Sequence, residues 1–262
     1  MRTLNINLAN IYCGSLILVN SEQPISGRNN NYGASLVSVG TDYPEILLDY
    51  VAAKELSQVL NDLNANGSII PVSGYRTMEE QKQIYADSLR ENGIDFTKRY
   101  VALPDRSEHQ TGLAIDLSEN KREIDFIRPH FPYTGLCMQF RKKALRYGFI
   151  ERYPKGKEDI TGISHEPWHF RYVGYPHSEI MNLKNLALEE YLKYLKNYPY
   201  NGKHLKYFNY DFSYEIFYIS HSSMKKLPPE LPNNVLYQIS GNNMDGYIIT
   251  LRRKRRGDNL SI

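Results

Sequence analysis

Two segments carry the groups best suited to chemistry in this 262-residue chain. They are Ser107-Glu108-His109-Gln110-Thr111-Gly112-Leu113-Ala114-Ile115-Asp116 and the later run His165-Glu166-Pro167-Trp168-His169. Together they offer histidines, an aspartate and a glutamate, of which three could hold a zinc ion while a fourth works beside it. Zinc accepts nitrogen and oxygen ligands of these types, and a catalytic site keeps three protein ligands and one open position. Two ligands from one short segment and a third from a distant histidine form a layout that a packed core rarely needs.

Read as a strand, Gly112–Leu117 alternates its faces, so Gly112, Ala114 and Asp116 point the same way. Small neighbours then leave space beside the Asp116 carboxylate, and His109 lies just upstream. An aspartate and two neutral imidazoles make a ligand set with one vacancy. Glu166 and His169 are three residues apart and would face opposite ways on a straight strand. Pro167 predicts a bend that lets both reach one centre. A glutamate beside a metal-activated water can take its proton and pass it to a leaving amine. A third segment, Ser73-Gly74-Tyr75-Arg76-Thr77, is followed by Gln81. Arg76 falls at a strand-to-helix junction, where a fixed cation can stabilise a developing oxyanion.

These patterns occur in order: Ser-x-x-Arg at 73–76 with Gln81, Ser-x-His-x-x-Gly-x-Ala-x-Asp at 107–116, and Glu-x-Trp-His-x-Arg-Tyr-Val-Gly at 166–174. Over roughly residues 44–196 the chain resembles the zinc peptidases of vancomycin resistance, the D,D-carboxypeptidases and D,D-dipeptidases, most of all their bifunctional VanXY type. The resemblance implies one zinc per chain, bound by His109, Asp116 and His169. It implies that Glu166 is general base and then general acid, and that Arg76 stabilises the tetrahedral intermediate. Ser107 and Gln81 would help hold the substrate, and Trp168 would line its pocket. The implied substrates are the D-Ala-D-Ala dipeptide and peptidoglycan pentapeptide precursors. At Ser73 a carboxylate would attract the free amine of a dipeptide, which a serine cannot do by charge. Ser73 is therefore expected to make the site more tolerant of longer peptides. Two alternatives stand beside this reading: a peptidoglycan endopeptidase acting outside the cell, and a zinc-stabilised binding module without catalysis.

The elements that must position these groups follow from periodicity. Apolar residues from Leu47 to Leu63 predict a helix within 44–66, with Asp42 as its cap and Gly67 at its end. Ile69–Val72 reads as a strand. Thr77 and Glu80 make a capping box for a helix from Met78 that stops at Gly93. Leu136–Tyr147 reads as a helix ended by Gly148, Phe149–Tyr153 and Trp168–Val173 as strands, and Pro176–Tyr194 as one long helix. After a linker near Asn197, residues 203–256 alternate as a small antiparallel sheet, too small to hold a substantial core. The fold expected is α+β: a small central antiparallel sheet flanked by helices in residues 1–196, with a β-rich extension over 197–262.

A formal charge of +3 is too small to imply a nucleic-acid partner. Two cysteines, Cys13 and Cys137, make no disulfide framework. No segment approaches a membrane span or a signal-peptide core, so the chain is expected in the cytoplasm, with a homodimer left open. Gly27–Asn31 reads as a polar turn. The run Arg252–Arg256 reads as a solvated basic tail. His130, His165, His177, His204 and His221 are not expected among the ligands.

Overall fold

The computed structural model describes residues 2–3, 10–25, 35–226 and 229–255. The chain divides into two compact units, Leu18–Glu190 and Met1–Ile17 with Tyr191–Ile262. Strand β1 (Arg2–Thr3) belongs to the second of these. The Gly27–Asn31 turn lies outside the described residues.

In the unit Leu18–Glu190, β2 (Leu36–Ser38) and β3 (Leu47–Asp49) pair antiparallel ahead of α1 (Tyr50–Asp62). The helix starts later than its apolar period predicts. Asp49, not Asp42, is the N-cap, its carboxylate accepting from the amides of Val51 and Ala52. Leu47 and Leu48 are spent on the strand pair instead. The helix buries Ala52, Ala53, Leu56, Val59 and Leu60, which recur at helical spacing. Strand β4 (Ile69–Ser73) leads into α2 (Met78–Tyr100), which opens on the expected capping box of Thr77 and Glu80. Gly93, at φ 78°, breaks the helix where a stop is expected, but a second helical stretch continues to Tyr100.

Strand β5 (Ala114–Glu119) is followed by α3 (Gly135–Ala144), then by a 3₁₀ turn that ends at Gly148 with φ 84°. β6 (Phe149–Tyr153), the short α4 (Glu158–Thr161) and β7 (Glu166–Tyr172) come next. The long helix expected after Pro176 is two helices, α5 (His177–Lys184) and α6 (Leu188–Leu195). Asn185 divides them in the left-handed conformation that asparagine tolerates. The central sheet has the order β4-β5-β7-β6, antiparallel throughout. Helix α3 packs on it through Phe140, whose ring meets Phe170 of β7 edge to face at 5.0 Å and Phe131 at 5.8 Å. Each of these buried rings contributes roughly 2–3 kcal/mol of hydrophobic stabilisation, which anchors β7 from behind. The expected α+β architecture is the one observed.

The other unit contains β8 (Leu205–Phe208), β9 (Phe212–Ser220), α7 (His221–Lys226), β10 (Glu230–Leu231), β11 (Leu236–Gly241) and β12 (Gly246–Lys254). Four of these strands form an antiparallel sheet, β11-β12-β9-β8, and β1 pairs with β10. This unit encloses a core of its own, built around Phe217, Met224, Ile249 and Leu251, contrary to the expectation from its size. The basic run is not a free tail through Arg255. Arg252–Lys254 are strand residues of β12, Arg253 pairs with Glu215 at 2.7 Å, and Arg255 donates to the Asn209 carbonyl. Cys13 is half-buried and Cys137 buried, and neither is in a disulfide. No helix among the described residues is long and apolar enough to cross a membrane.

Candidate active site

Strand register brings the metal-type ligands together. In the β5–β7 pairing Asp116 lies directly opposite His169, which places their Cβ atoms about 5 Å apart. His109 comes from upstream, on a 3₁₀ helix (Glu108–Thr111) rather than on the strand. Gly112 closes that turn at φ 73°, and a Cβ there would lie 2.8 Å from Leu36. Gly112 therefore turns the chain from His109 into β5, instead of leaving space on the strand face as expected.

Glu166 and His169 both reach the cleft although an undistorted strand would part them. The β6–β7 register slips between Glu151 and Tyr153: Glu151 pairs with Phe170, but Tyr153 pairs with Glu166. Three β7 residues thus oppose one of β6, so β7 departs from a regular strand between Glu166 and Phe170. The residue expected to bend the chain, Pro167, falls within this irregular stretch. A second slip between Pro71 and Ser73 sets Ser73 opposite Asp116.

The donor atoms of His109, Asp116 and His169 lie within 4.8 Å of one another, and all three side chains are buried. His109 Nε2 is 3.2 Å from Asp116 Oδ2, and His169 Nδ1 is 3.0 Å from Asp116 Oδ1. Ligands on one tetrahedral zinc sit about 3.3 Å apart, given bonds near 2.0–2.1 Å. The residues present therefore fit zinc, with three ligands and room for a fourth. His109 Nδ1 lies 2.6 Å from the Gly74 carbonyl oxygen. A carbonyl only accepts, so Nδ1 carries the proton and Nε2 keeps its lone pair toward Asp116. Burial, with Arg76 nearby, pushes His109 down to about 4, so it stands neutral, as a ligand must. Burial would raise Asp116, but the neighbouring His109 and His169 hold it well below the usual carboxylate range. Burial would likewise lower His169, but Asp116 and Glu108 outweigh it and hold it up to about 9, a proton that ligation displaces.

The remaining groups surround this triangle. Glu166 Oε2 is 3.7 Å from His169 Nδ1, and burial raises the Glu166 carboxyl to about 8. A carboxyl titrating there can accept and return a proton near neutral pH. Arg76 Nη2 is 3.7 Å from Asp116 Oδ2, and its Nη1 donates to Gln81 Oε1 at 3.0 Å. Its Nε is buried without a hydrogen-bond partner. Gln81 is fully buried, and its Nε2 donates to the Ala102 carbonyl at 2.7 Å. Gln81 thus braces Arg76 while itself lining the cleft. Ser73, Ser107 and Trp168 line the same cleft of about 340 Å³.

Of the histidines set aside, His165 is bound to Tyr133 at 2.7 Å and lies 3.4 Å from Glu151, outside the triangle. Sequence reasoning missed Tyr153, which lines the cleft with its ring 4.9 Å from that of His169. It also missed the exposed Phe126 and half-exposed Ile127 at the cleft rim, and the buried pair Arg152 and Arg171. An arginine within a strand ordinarily reads as a surface residue, so nothing local flags the last two.

The chain matches the family described as VanY, D-alanyl-D-alanine carboxypeptidase, over residues 45–175. It is 42% identical over 182 residues to the bifunctional D-Ala-D-Ala dipeptidase and D-Ala-D-Ala carboxypeptidase VanXYC of Enterococcus gallinarum, covering 69% of this chain and 95% of that one. A D-alanyl-D-alanine carboxypeptidase of Enterococcus faecium is 35% identical over 260 residues, covering 92% of this chain and 76% of the relative. Among solved structures, the vancomycin resistance D,D-dipeptidase VanXYg in complex with a D-Ala-D-Ala phosphinate analog superposes with a TM-score of 0.85. The two are 48% identical, over 93% of this chain and 95% of the other. A mutant of the vancomycin resistance D,D-pentapeptidase VanY from a VanB-type cassette, in complex with Zn(II), has a TM-score of 0.57. It is 34% identical, over 68% of this chain and 98% of the other.

Proposed function

The chain belongs to the VanY family of D-alanyl-D-alanine carboxypeptidases, and from that premise we propose a zinc-dependent D,D-peptidase with two substrates. It hydrolyses the D-Ala-D-Ala dipeptide and removes the terminal D-Ala from peptidoglycan pentapeptide precursors. Such activity removes the ends that vancomycin recognises. The observation that carries this reading is one cleft in which His109, Asp116 and His169 converge beside both Glu166 and Arg76. A binding module needs the first three alone; the last two add a proton carrier and a fixed cation.

One zinc per chain would be held by His109 Nε2, Asp116 and His169. Bound there, zinc supplies Lewis-acid activation of water and of the scissile carbonyl. Glu166 takes the proton of the attacking water and delivers it to the leaving amine. Arg76, braced by Gln81, stabilises the negative charge that grows on the carbonyl oxygen. Ser107 and Ser73 offer hydroxyls to the peptide, while Trp168 and Tyr153 wall the site and limit water. A cytoplasmic place of action and a homodimer belong to the same proposal, and cell fractionation and analytical ultracentrifugation test them.

The deciding experiment measures D-alanine release from D-Ala-D-Ala and from a pentapeptide precursor, with and without chelator, alongside metal analysis. Release from both, lost on chelation and restored by zinc, is the expected result. Release untouched by chelation, or none from either peptide, refutes the proposal.

A further inference from the structure

Glu108 is completely buried in the unit Leu18–Glu190, and one of its oxygens is fully engaged. Oε1 accepts from Arg152 Nε at 2.8 Å and from Arg171 Nη1 at 2.7 Å. Both arginines are themselves wholly buried, and Arg152 is further paired with Glu189. Two guanidinium groups on one carboxylate keep it ionised, so Glu108 can only accept. The other oxygen, Oε2, is buried without a partner, and so is Nε2 of His169. These two orphaned atoms face each other across 3.7 Å. That is too long for a hydrogen bond, but a charge-assisted bond near 2.8 Å lies only about 0.9 Å away. With Oε1 pinned, Oε2 is the oxygen free to swing. Buried polar atoms rarely stay unpaired, because each costs roughly 1–3 kcal/mol.

We infer that Glu108 is a positioning residue for His169: its Oε2 accepts the His169 Nε2–H, so that Nδ1 is the nitrogen presented to the metal. This rests on the zinc reading of the site and deepens it. The other imidazole is handled in the opposite sense. His109 gives its Nδ1–H to the Gly74 carbonyl and presents Nε2. The two histidines therefore use opposite nitrogens, each fixed by an acceptor behind the ring. Such acceptors set ring tautomer and orientation, and removing one typically weakens metal binding 10- to 100-fold. The burial of three charged side chains behind the site has a purpose on this account. Arg152 and Arg171 orient the carboxylate, and the carboxylate orients the ligand.

Two measurements test the inference. In the zinc-loaded wild type, long-range ¹⁵N–¹H spectra of the imidazoles report which nitrogen is bound. The two histidines that respond to zinc are expected to differ, one ligated through Nδ1 and one through Nε2. Ligation of both through Nε2 overturns the inference while leaving the zinc peptidase intact. Failure to bind zinc overturns both together. The second measurement is zinc affinity, by chelator competition, of Glu108→Gln. The arginines hold the amide oxygen at the Oε1 position, which turns the NH₂ against His169 Nε2–H, donor to donor. The zinc dissociation constant is expected to rise 10- to 100-fold with an unchanged circular dichroism spectrum. A Glu108 that serves the fold alone would lower the melting temperature of the metal-free protein and leave zinc affinity as it was, and that result refutes the inference. If the variant does not fold, the wild-type spectra decide.

Discussion

Replacing Gln81 by methionine tests how Arg76 is held. The two side chains are similar in length, so packing changes little, but both polar contacts of Gln81 disappear. Arg76 loses its bond to Oε1 at 3.0 Å, and the Ala102 carbonyl loses its donor at 2.7 Å. What remains on the guanidinium is the looser 3.7 Å approach to Asp116, with Nε already unpartnered. A hydrogen bond to a charged group contributes about 1.5–3 kcal/mol. If that energy keeps the guanidinium aimed at the growing oxyanion, kcat falls roughly 10- to 150-fold, while KM changes little. Removing the donor itself, in Arg76→Ala, costs more, on the order of 10²- to 10³-fold. The assay is D-alanine release in a double-mutant cycle with both single variants and the pair. Because Gln81 acts through Arg76, Gln81→Met adds almost nothing once Arg76 is gone. A full, additive loss in the Arg76→Ala background would refute the positioning role and return Gln81 to direct contact with substrate.

Other perturbations have equally definite outcomes. Glu166→Gln keeps the shape of the site but cannot carry a proton, so kcat is expected to fall by about 10²–10⁴ at unchanged zinc content. Full activity in that variant removes Glu166 from the mechanism. Ser73→Asp sets a carboxylate opposite Asp116, at a position that lines the cleft. Its kcat/KM ratio for dipeptide over pentapeptide is expected to rise, and a constant or falling ratio shows that Ser73 does not govern chain-length preference. His177, on α5, is buried, and burial pushes it down from 6.5 to about 3. The unfolded chain therefore takes up a proton that the folded chain refuses, and stability drops as pH falls from 6.5 toward 3, by at most ~5 kcal/mol. In His177→Gln the acid limb of a denaturation-versus-pH series is expected to flatten; an unchanged slope assigns acid sensitivity to other groups.

Much of the site was legible because its chemistry is local in sequence. Thr77 and Glu80 form their capping box within one helical turn, so the start of α2 can be read directly. His109 and Asp116 share a segment whose turn needs glycine at 112, although its use there is a left-handed turn and not an open strand face. Errors arose where a local signal competed with a distant partner. Leu47 and Leu48 fit a helical period but were claimed by pairing with β2, which no pattern within the helix reveals. Asn185 broke a predicted long helix because an asparagine can take the left-handed conformation, a choice that periodicity does not encode.

By itself, then, the sequence determined the inventory: which residues could bind zinc, move a proton or offset charge, and in what order they occur. Those are properties of side-chain chemistry and short spacing. Tertiary structure decided which atoms meet. Asp116 faces His169 through strand register, and Glu166 joins them from a stretch where the β6–β7 pairing is irregular. Gln81 reaches Arg76 across a helical turn, and Glu108 meets Arg152 and Arg171 from distant strands. The physical reason is that a shift of one residue along a strand moves a side chain to the opposite face. Register depends on long-range pairing, and the spacing of residues in a single chain does not contain it.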